Sequence, residues 1–467
     1  MARALIVLFL ARREQQVLSN DLFAGRCESW LGRQFRRAPA IARNLTTLFG
    51  VVRYWRTYMR EVADADRHGF HPLDVTLGLT AERFSWNVLA RAARLATQLS
   101  FADARSVMSD FVPNTPSTEV IERTVLGLGA HTETWFEQQP APEDDGEVLE
   151  IEIDGKGVPT ATERELKRRR RKRRAKAEGC STSPRHRGRA KRSRHGKQPR
   201  RRKGDKRKNA KVATMLVMYT LRRKGTRRLE GPVNRRHYAS FGSKRHAFAI
   251  ARREAEKRGF GADSGKLVQV VTDGDNDYAD LVAEFFPNAI HTIDCYHVFE
   301  KLWEAGGTFL TEGSKELKAW VADQKEKLFR DNVDDVLSEM QRQFDLIPKT
   351  GPGNKGRRER LAAARNYLKK RASKISYGYL RRRDLVISTG IVEGAIKYII
   401  GRRCDHGGMR WIKERAQAIL QLRCIEANGD WEAFERFVHA RLHAMSIVDF
   451  ASPRLQISIP EPLPNAA

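Results

Sequence analysis

Leu267-Val268-Gln269-Val270-Val271-Thr272-Asp273-Gly274 is a nearly continuous apolar run that stops at an acid and a glycine. Ala289-Ile290-His291-Thr292-Ile293-Asp294 follows it and stops the same way. Tyr278 to Phe286 between them reads as a helix, so the trio is strand, helix, strand, and such a crossover makes the strands parallel. Upstream, Leu149-Glu150-Ile151-Glu152-Ile153 alternates like a strand and ends at Asp154-Gly155. Val212 to Leu221 and His237 to Phe241 read as two further strands, and Lys244 to Arg258 as a helix. The order is three strands, helix, strand, helix, strand.

That order predicts an α/β class with a mixed five-stranded sheet, an antiparallel meander continued by parallel units, as in a ribonuclease H-like fold. Asp154, Asp273 and Asp294 then lie at the carboxyl ends of strands, where ligands of open α/β sheets gather. Acids crowded together repel unless a cation joins them. Oxygen-only ligands select Mg²⁺ or Mn²⁺, and two such ions suit phosphodiester chemistry. Glu393 is the candidate for the third carboxylate. It opens a helix whose apolar positions are Ile396, Ile399 and Ile400, and it lies three residues before that stripe. Each acid also has a plainer reading: Asp-Gly is an ordinary turn pair, and Glu393 suits the first turn of a helix.

The chain has 467 residues and a net charge of +30, of which Arg164 to Lys211 carries +22, with 25 Lys/Arg against three acids. Lys167 to Lys176 has nine basic residues in ten. The insert 164–211 is too polar to fold alone and is expected to be disordered, with Arg168, Arg169, Arg170 and Arg171 contacting a polyanion, nucleic acid by default. The plainer reading is a solvated linker. Forty per cent hydrophobic content excludes wholesale disorder, and no apolar run approaches the roughly 18 residues of a membrane span. Ala4 to Ala11 is read as a helix or strand rather than a signal peptide. Five scattered cysteines form no CxxC pair and suit a reducing cytoplasm.

Residues 1–139 read as mostly helical, with strand character from Leu45 to Tyr58. Phe101 to Phe111 and a second helix N-capped by Ser117 outline a helix-turn-helix-like unit, and residues 1–139 are expected to bind the end DNA through it; the plainer reading is a helical hairpin that never touches DNA. The sheet domain spans 148–297. A charged helical insertion fills 298–384, helices at 385–450 are expected to complete the core, and 451–467 reads as a flexible tail. Arg402, Arg403 and Arg410 can clamp phosphates, and Trp411 can stack on an unpaired base; the alternatives are solvated charges and a core tryptophan.

These residues resemble bacterial insertion-sequence transposases of the DDE class, most closely the Kra-type group and more distantly the Lre-type and Mutator-like groups. The carriers are Thr46, Leu48-Phe49-Gly50 and Arg53-Tyr54; Leu99 to Ala104; Asp154-Gly155-Lys156-Gly157-Val158-Pro159; Asp273-Gly274; and Phe286-Pro287 leading to Asp294-Cys295-Tyr296-His297-Val298. Gly390-Ile391-Val392-Glu393, Gly408-Met409-Arg410-Trp411, Ala416 to Leu420 and Leu422-Arg423 complete them. The resemblance implies Asp154, Asp273 and Glu393 as metal ligands, with His297, beside Asp294, near the scissile phosphate as donor or proton shuttle. Asp275 to Tyr278 departs from the family, which usually has a small residue and a Trp there, and leaves Asp275 or Asp294 as alternative ligands.

The function implied is Mg²⁺-dependent cleavage and strand transfer at the inverted-repeat ends of an insertion sequence. The partners implied are double-stranded end and target DNA and, for synapsis, a homodimer or larger. The setting implied is a bacterial cytoplasm at the nucleoid. A ribonuclease H-like nuclease without strand transfer and an inactive transposase-derived DNA-binding protein are the rivals.

Overall fold

A computed structural model describes residues 1–19, 27–30, 33–62, 69–79, 82–177, 210–225, 228–406 and 408–448. The tail 451–467 and residues 178–209 of the basic insert lie outside the described residues. The described strands form two sheets. β1 (Cys27–Trp30), β2 (Arg33–Thr47) and β3 (Gly50–Glu61) make an antiparallel sheet in the order β1-β2-β3. β4 (Val148–Pro159), β5 (Ala210–Lys224), β6 (Arg228–Ser240), β7 (Leu267–Thr272) and β8 (Ile290–Ile293) make a mixed sheet in the order β6-β5-β4-β7-β8. β4, β5 and β6 pair antiparallel, while β4, β7 and β8 pair in parallel. The class is α/β, as the strand order predicts.

Two compact units result. One gathers Met1–Gln139, Ala161–Leu166 and the helices from Arg402 onward; the other holds Pro140–Thr160 and Lys167–Gly401. The segment 385–450, read from the sequence as one set of core helices, is therefore divided at Gly401. The physical reason lies in the partners of the later helices. Arg94 pairs with Glu426 at 3.1 Å, the Thr132 hydroxyl donates to Gln421 at 2.6 Å, and Arg423 donates to the Thr97 carbonyl at 2.7 Å.

Four further differences from the sequence reading have local causes. β2 and β3 extend well beyond Leu45 to Tyr58, because the helix Ala2–Leu18 buries one face of the hairpin, with Leu10 and Val17 against Leu45, Val52, Phe35 and Met59. The basic insert is helical at its start, Glu163–Ala177, where arginine and lysine are good helix formers. β6 begins nine residues before His237. β4 does not stop at Asp154: its parallel ladder with β7 ends at Ile153↔Thr272, and β4 continues against β5 to Pro159.

The two helices read around the break at Val112–Pro116 lie at Phe101–Ser109 and Thr118–Gly129, and the Ser117 hydroxyl accepts from the Val120 N–H as the N-cap of the second. No helix among the described residues is long and apolar enough to cross a membrane.

Candidate active site

Register brings the strand-end acids together. Ile153 is opposite Thr272, and Thr272 is opposite Ile293. Asp154, Asp273 and Asp294 each follow one of these residues, so all three stand at the same level on adjacent strands. Burial raises the Asp154 carboxyl above the usual range, and the charges of Asp273 and Glu393 raise it further, opposed by the Gly155 N–H and by His297. Asp154, Asp273, Glu393 and His297 thus share one electrostatic neighbourhood.

Each acid has its own setting. The Asp154 Oδ1 accepts from the Gly155 N–H at 2.5 Å. The Asp273 Oδ1 accepts from the Asp275 N–H at 2.9 Å, closing the turn after β7. That turn is gripped by the helix Asn354–Lys369 and the residues just after it. The Tyr367 hydroxyl donates to the Asp273 carbonyl at 2.9 Å, and the Arg371 Nε to the Gly274 carbonyl at 2.6 Å. Gly274 has φ +83°, and a Cβ there would strike the Tyr367 hydroxyl, so only glycine fits. Glu393, half-buried, meets Lys397 one turn along at 3.2 Å. Its helix, Gly390–Ala395, widens into a π-helical stretch, Ile396–Gly401, with Ile396, Ile399 and Ile400 buried as the apolar stripe predicts.

The alternative ligands are engaged elsewhere. Lys244 holds Asp275 at 2.6 Å and lowers its carboxyl. Asp294 is fully buried, and its carboxylate accepts from the His297 N–H at 3.0 Å, the His297 Nδ1 at 2.7 Å and the Thr389 N–H at 2.9 Å. Burial works to raise Asp294, and those hydrogen bonds overcome it, leaving the acid below its ordinary range. Reciprocally, the Asp294 bond pushes His297 up to about 9 against the cost of burial, so the half-exposed ring is an imidazolium at neutral pH.

Two carboxylates that the sequence reading passed over sit on the same face of β4 as Asp154, because side chains two apart share a face. Glu150 and Glu152 are both 0% exposed. The Glu152 Oε1 accepts from the Tyr219 hydroxyl at 2.7 Å, and its Oε2 from the Val392 N–H at 2.8 Å. Burial pushes Glu152 up to about 7. Glu150 has no hydrogen-bond partner at either oxygen, and burial, with Glu152 beside it, drives its carboxyl far above the usual range. Gln269 on β7 completes the pattern: its Nε2 donates to the Val386 carbonyl at 2.6 Å and its Oε1 accepts from the Val386 N–H at 3.2 Å. Gln269 on β7, Glu152 on β4 and Asp294 just past β8 thereby fix the backbone at Val386, Val392 and Thr389, just before Glu393. An acid in the central strand of a sheet with partners on both sides was the available signal.

The expected nucleic-acid residues divide. Arg168, Arg169, Arg170 and Arg171 are exposed on the helix Glu163–Ala177. Arg402 is exposed and Arg410 partly so, both in the unit that contains the N-terminal helices. Arg403 and Trp411 are buried in that same unit. The Arg403 guanidinium donates to the Ala96 carbonyl at 3.1 Å and lies 4.6 Å from the Trp411 ring centroid. A contact to DNA by either side chain would require unpacking this core, so the core reading of Trp411 and a structural reading of Arg403 replace the expected contacts.

Oxygen-only donors with mutual repulsion suit hard divalent cations. Among the described residues, no three His, Cys, Asp or Glu side chains stand close enough to form a ready-made metal group. Asp154, Asp273 and Glu393 each have an oxygen turned to a local partner, the Gly155 N–H, the Asp275 N–H and Lys397, and side-chain rotation at these positions would expose those oxygens.

Residues 249–390 match a DDE transposase family model of the ISL3 group, described as "Transposase". The match bears out the resemblance to insertion-sequence DDE transposases and supports a DNA transposase enzyme; the matched group, ISL3, is not among the Kra-type, Lre-type and Mutator-like groups named from the sequence. Among solved structures, the Drosophila P element transposase strand transfer complex aligns with 77% of this chain and 95% of its own, at 10% identity and a TM-score of 0.34. No curated protein matches.

Proposed function

We propose that the chain cuts and joins DNA at the inverted-repeat ends of an insertion sequence by in-line phosphoryl transfer, on a ribonuclease H-like core. The carrying observation is the shared level of Asp154 and Asp273 on neighbouring parallel strands, with Glu393 and His297 within electrostatic reach of Asp154. The sheet order β6-β5-β4-β7-β8, with three antiparallel strands leading into parallel ones, supports the ribonuclease H-like reading. The transposase family match over residues 249–390 supports the reaction class.

Asp154, Asp273 and Glu393 would hold Mg²⁺ or Mn²⁺, two ions in the fullest form, and such ions supply Lewis acidity and a more acidic water at a phosphodiester. The protein's own share is positioning and charge. The His297 Nδ1 is held by Asp294, which leaves Nε2–H to donate to a phosphate oxygen or to pass a proton to a leaving oxygen. The helix beginning at Glu163 offers Arg168 to Arg171 to the DNA backbone, where cations add affinity without sequence choice. Two ends must be synapsed, so a dimer or larger assembly is the working form.

The test is cleavage and strand transfer with Mg²⁺ on DNA carrying the element's ends. The parent chain is compared with Asp154→Ala, Asp273→Ala and Glu393→Ala. Loss of both steps in all three, with DNA affinity retained, is expected. Cleavage without joining by the parent chain indicates a nuclease, and binding without cleavage indicates a DNA-binding relic. Cleavage surviving in one variant removes that residue from the ligand set.

A further inference from the structure

The β2–β3 hairpin has one covered face and one open face. Phe35, Leu45, Val52, Tyr54 and Met59 are buried on the first. Beneath it, Arg43, Arg56 and the Tyr54 hydroxyl converge on Asp74, with Arg43 at 2.7 Å and Tyr54 at 2.8 Å. The ladder shifts register between Ala38 and Ile41, but on both sides of the shift the buried residues pack on the helix Ala2–Leu18, Phe35 and Met59 with Val17, and Leu45, Val52 and Tyr54 with Leu10. The cross-strand pairs turned away from that helix are Arg36↔Arg60 on one side of the shift and Ala42↔Trp55 and Asn44↔Arg53 on the other. Arg36, Asn44, Arg53, Trp55 and Arg60 are all exposed, Trp55 by 60%. Between Gln34 and Val62 the single acid is Glu61, which is buried beside Phe35 on the covered side. Among the described residues of the hairpin, the open face therefore carries three arginines and no carboxylate. Arg53 lies over the Trp55 ring, 5.8 Å from its centroid.

We propose that this open face of the hairpin is a duplex-DNA-binding surface, distinct from the basic insert and from the helix-turn-helix-like pair. The element to which the DNA belongs rests on the transposase reading above; the contact itself rests on the hairpin. Beyond Arg36, where the pairing with β1 ends, the hairpin continues as a two-stranded ribbon, and such a ribbon fits the major groove, about 12 Å wide. Arg36, Arg53 and Arg60 supply cations to phosphates or guanine edges, Asn44 is a side chain that reads adenine, and Trp55 offers a flat apolar surface against sugars or bases. A second copy of the chain is a poor occupant: a twofold contact through this face brings arginines against arginines with no acid between them.

The experiment uses the full chain and a 50-bp duplex from the DNA flanking its own gene, followed by fluorescence anisotropy over a salt series. The variants are a triple, Arg36→Gln, Arg53→Gln and Arg60→Gln, and a single Trp55→Ala, both at exposed positions. The triple is expected to weaken binding about 10- to 100-fold and to flatten the slope of log affinity against log salt by about 2.7, at about 0.9 per phosphate contact. Trp55→Ala is expected to weaken binding several-fold with the slope unchanged. Unchanged affinity and slope in the triple overturn the proposal. So does a triple variant that loses self-association in sedimentation while binding DNA like the parent, since the face is then a protein interface. Failure of the catalytic reading is separable: a parent chain that binds through the hairpin but never cleaves leaves this proposal standing.

Discussion

The sheet unit and the helical unit both bury charged side chains against helix ends, acids at one helix start and arginines at one helix end. In the sheet unit, Glu152 and Asp294 accept from the N–H groups of Val392 and Thr389, at the start of the helix that carries Glu393. In the helical unit, Arg403 and Arg423 donate to the Ala96 and Thr97 carbonyls, at the end of the helix Trp86–Gln98. Anions at helix starts and cations at helix ends are what the unsatisfied backbone groups and the dipole favour. The difference is what remains over. The guanidiniums of Arg403 and Arg423 are both committed to the core. The acids beyond Glu152 on the sheet, Asp154 and Asp273, hold N–H groups one and two residues along the chain. Ligand-binding capacity is therefore expected among the sheet's acids and not among the buried arginines.

The largest effect should come from Arg423→Met. It strips the Thr97 carbonyl and the Gln98 side chain of a buried donor, and hydrogen exchange of Trp86–Gln98 should lose about 2–4 kcal/mol of protection. Protection equal to that of the parent chain would end the comparison on the helical side. Next is Glu152→Leu, which leaves the Val392 N–H and Tyr219 hydroxyl unmet, for about 2–3 kcal/mol in exchange at residues 390–395. Glu152→Gln keeps an acceptor for Val392 and should restore both protection and strand cleavage. A glutamine variant as impaired as the leucine one would mean that the charge, not the bond, matters.

Glu150→Met should act in the opposite direction. A buried acid with no partner costs free energy once ionised, so the substitution is expected to stabilise β4 by about 1–3 kcal/mol at pH 8. The sign follows from linkage. The folded carboxyl lies well above its ordinary 4.5, so the parent's stability is whole below that pH and falls as pH rises beyond it. The methionine variant should lack this decline, and urea midpoints between pH 4.5 and 8 check it.

The smallest expected effect is spectroscopic. In chelator, the His297 ring should titrate near 9 by NMR, and Asp294→Asn should bring it back towards 6.5. The stability that His297 lends is complete below about 6.5 and fades as pH climbs through about 9. A parent midpoint near 6.5 would show that Asp294 does not hold the ring in solution.

The sheet was legible because apolar runs that stop at Asp-Gly report both a strand and its end. The level shared by Asp154, Asp273 and Asp294 followed from strand order alone. The alternation in Leu149–Ile153 was a weaker guide. Period two separates the faces of a strand but does not say whether a face meets water, and here both faces are buried, so Glu150 and Glu152 stayed hidden. Arg403 and Trp411 misled for a related reason. Lying ten and eighteen residues beyond Glu393, they seemed to belong beside it, but which unit a helix joins is decided by partners such as Ala96 and Phe101, some 300 residues away in sequence.

That long separation has a temporal consequence. The Thr132 hydroxyl, the Thr97 carbonyl and the Arg94 side chain find long-range partners in residues 421–432, which leave the ribosome after the sheet unit. At about 5–20 residues per second, the N-terminal helices wait roughly 15–60 seconds for the segment that completes them. The sheet unit can close first, and the helical unit assembles last, from both sides of the sheet unit in sequence. A nascent chain therefore gains the helical unit only once residues 421–432 have emerged.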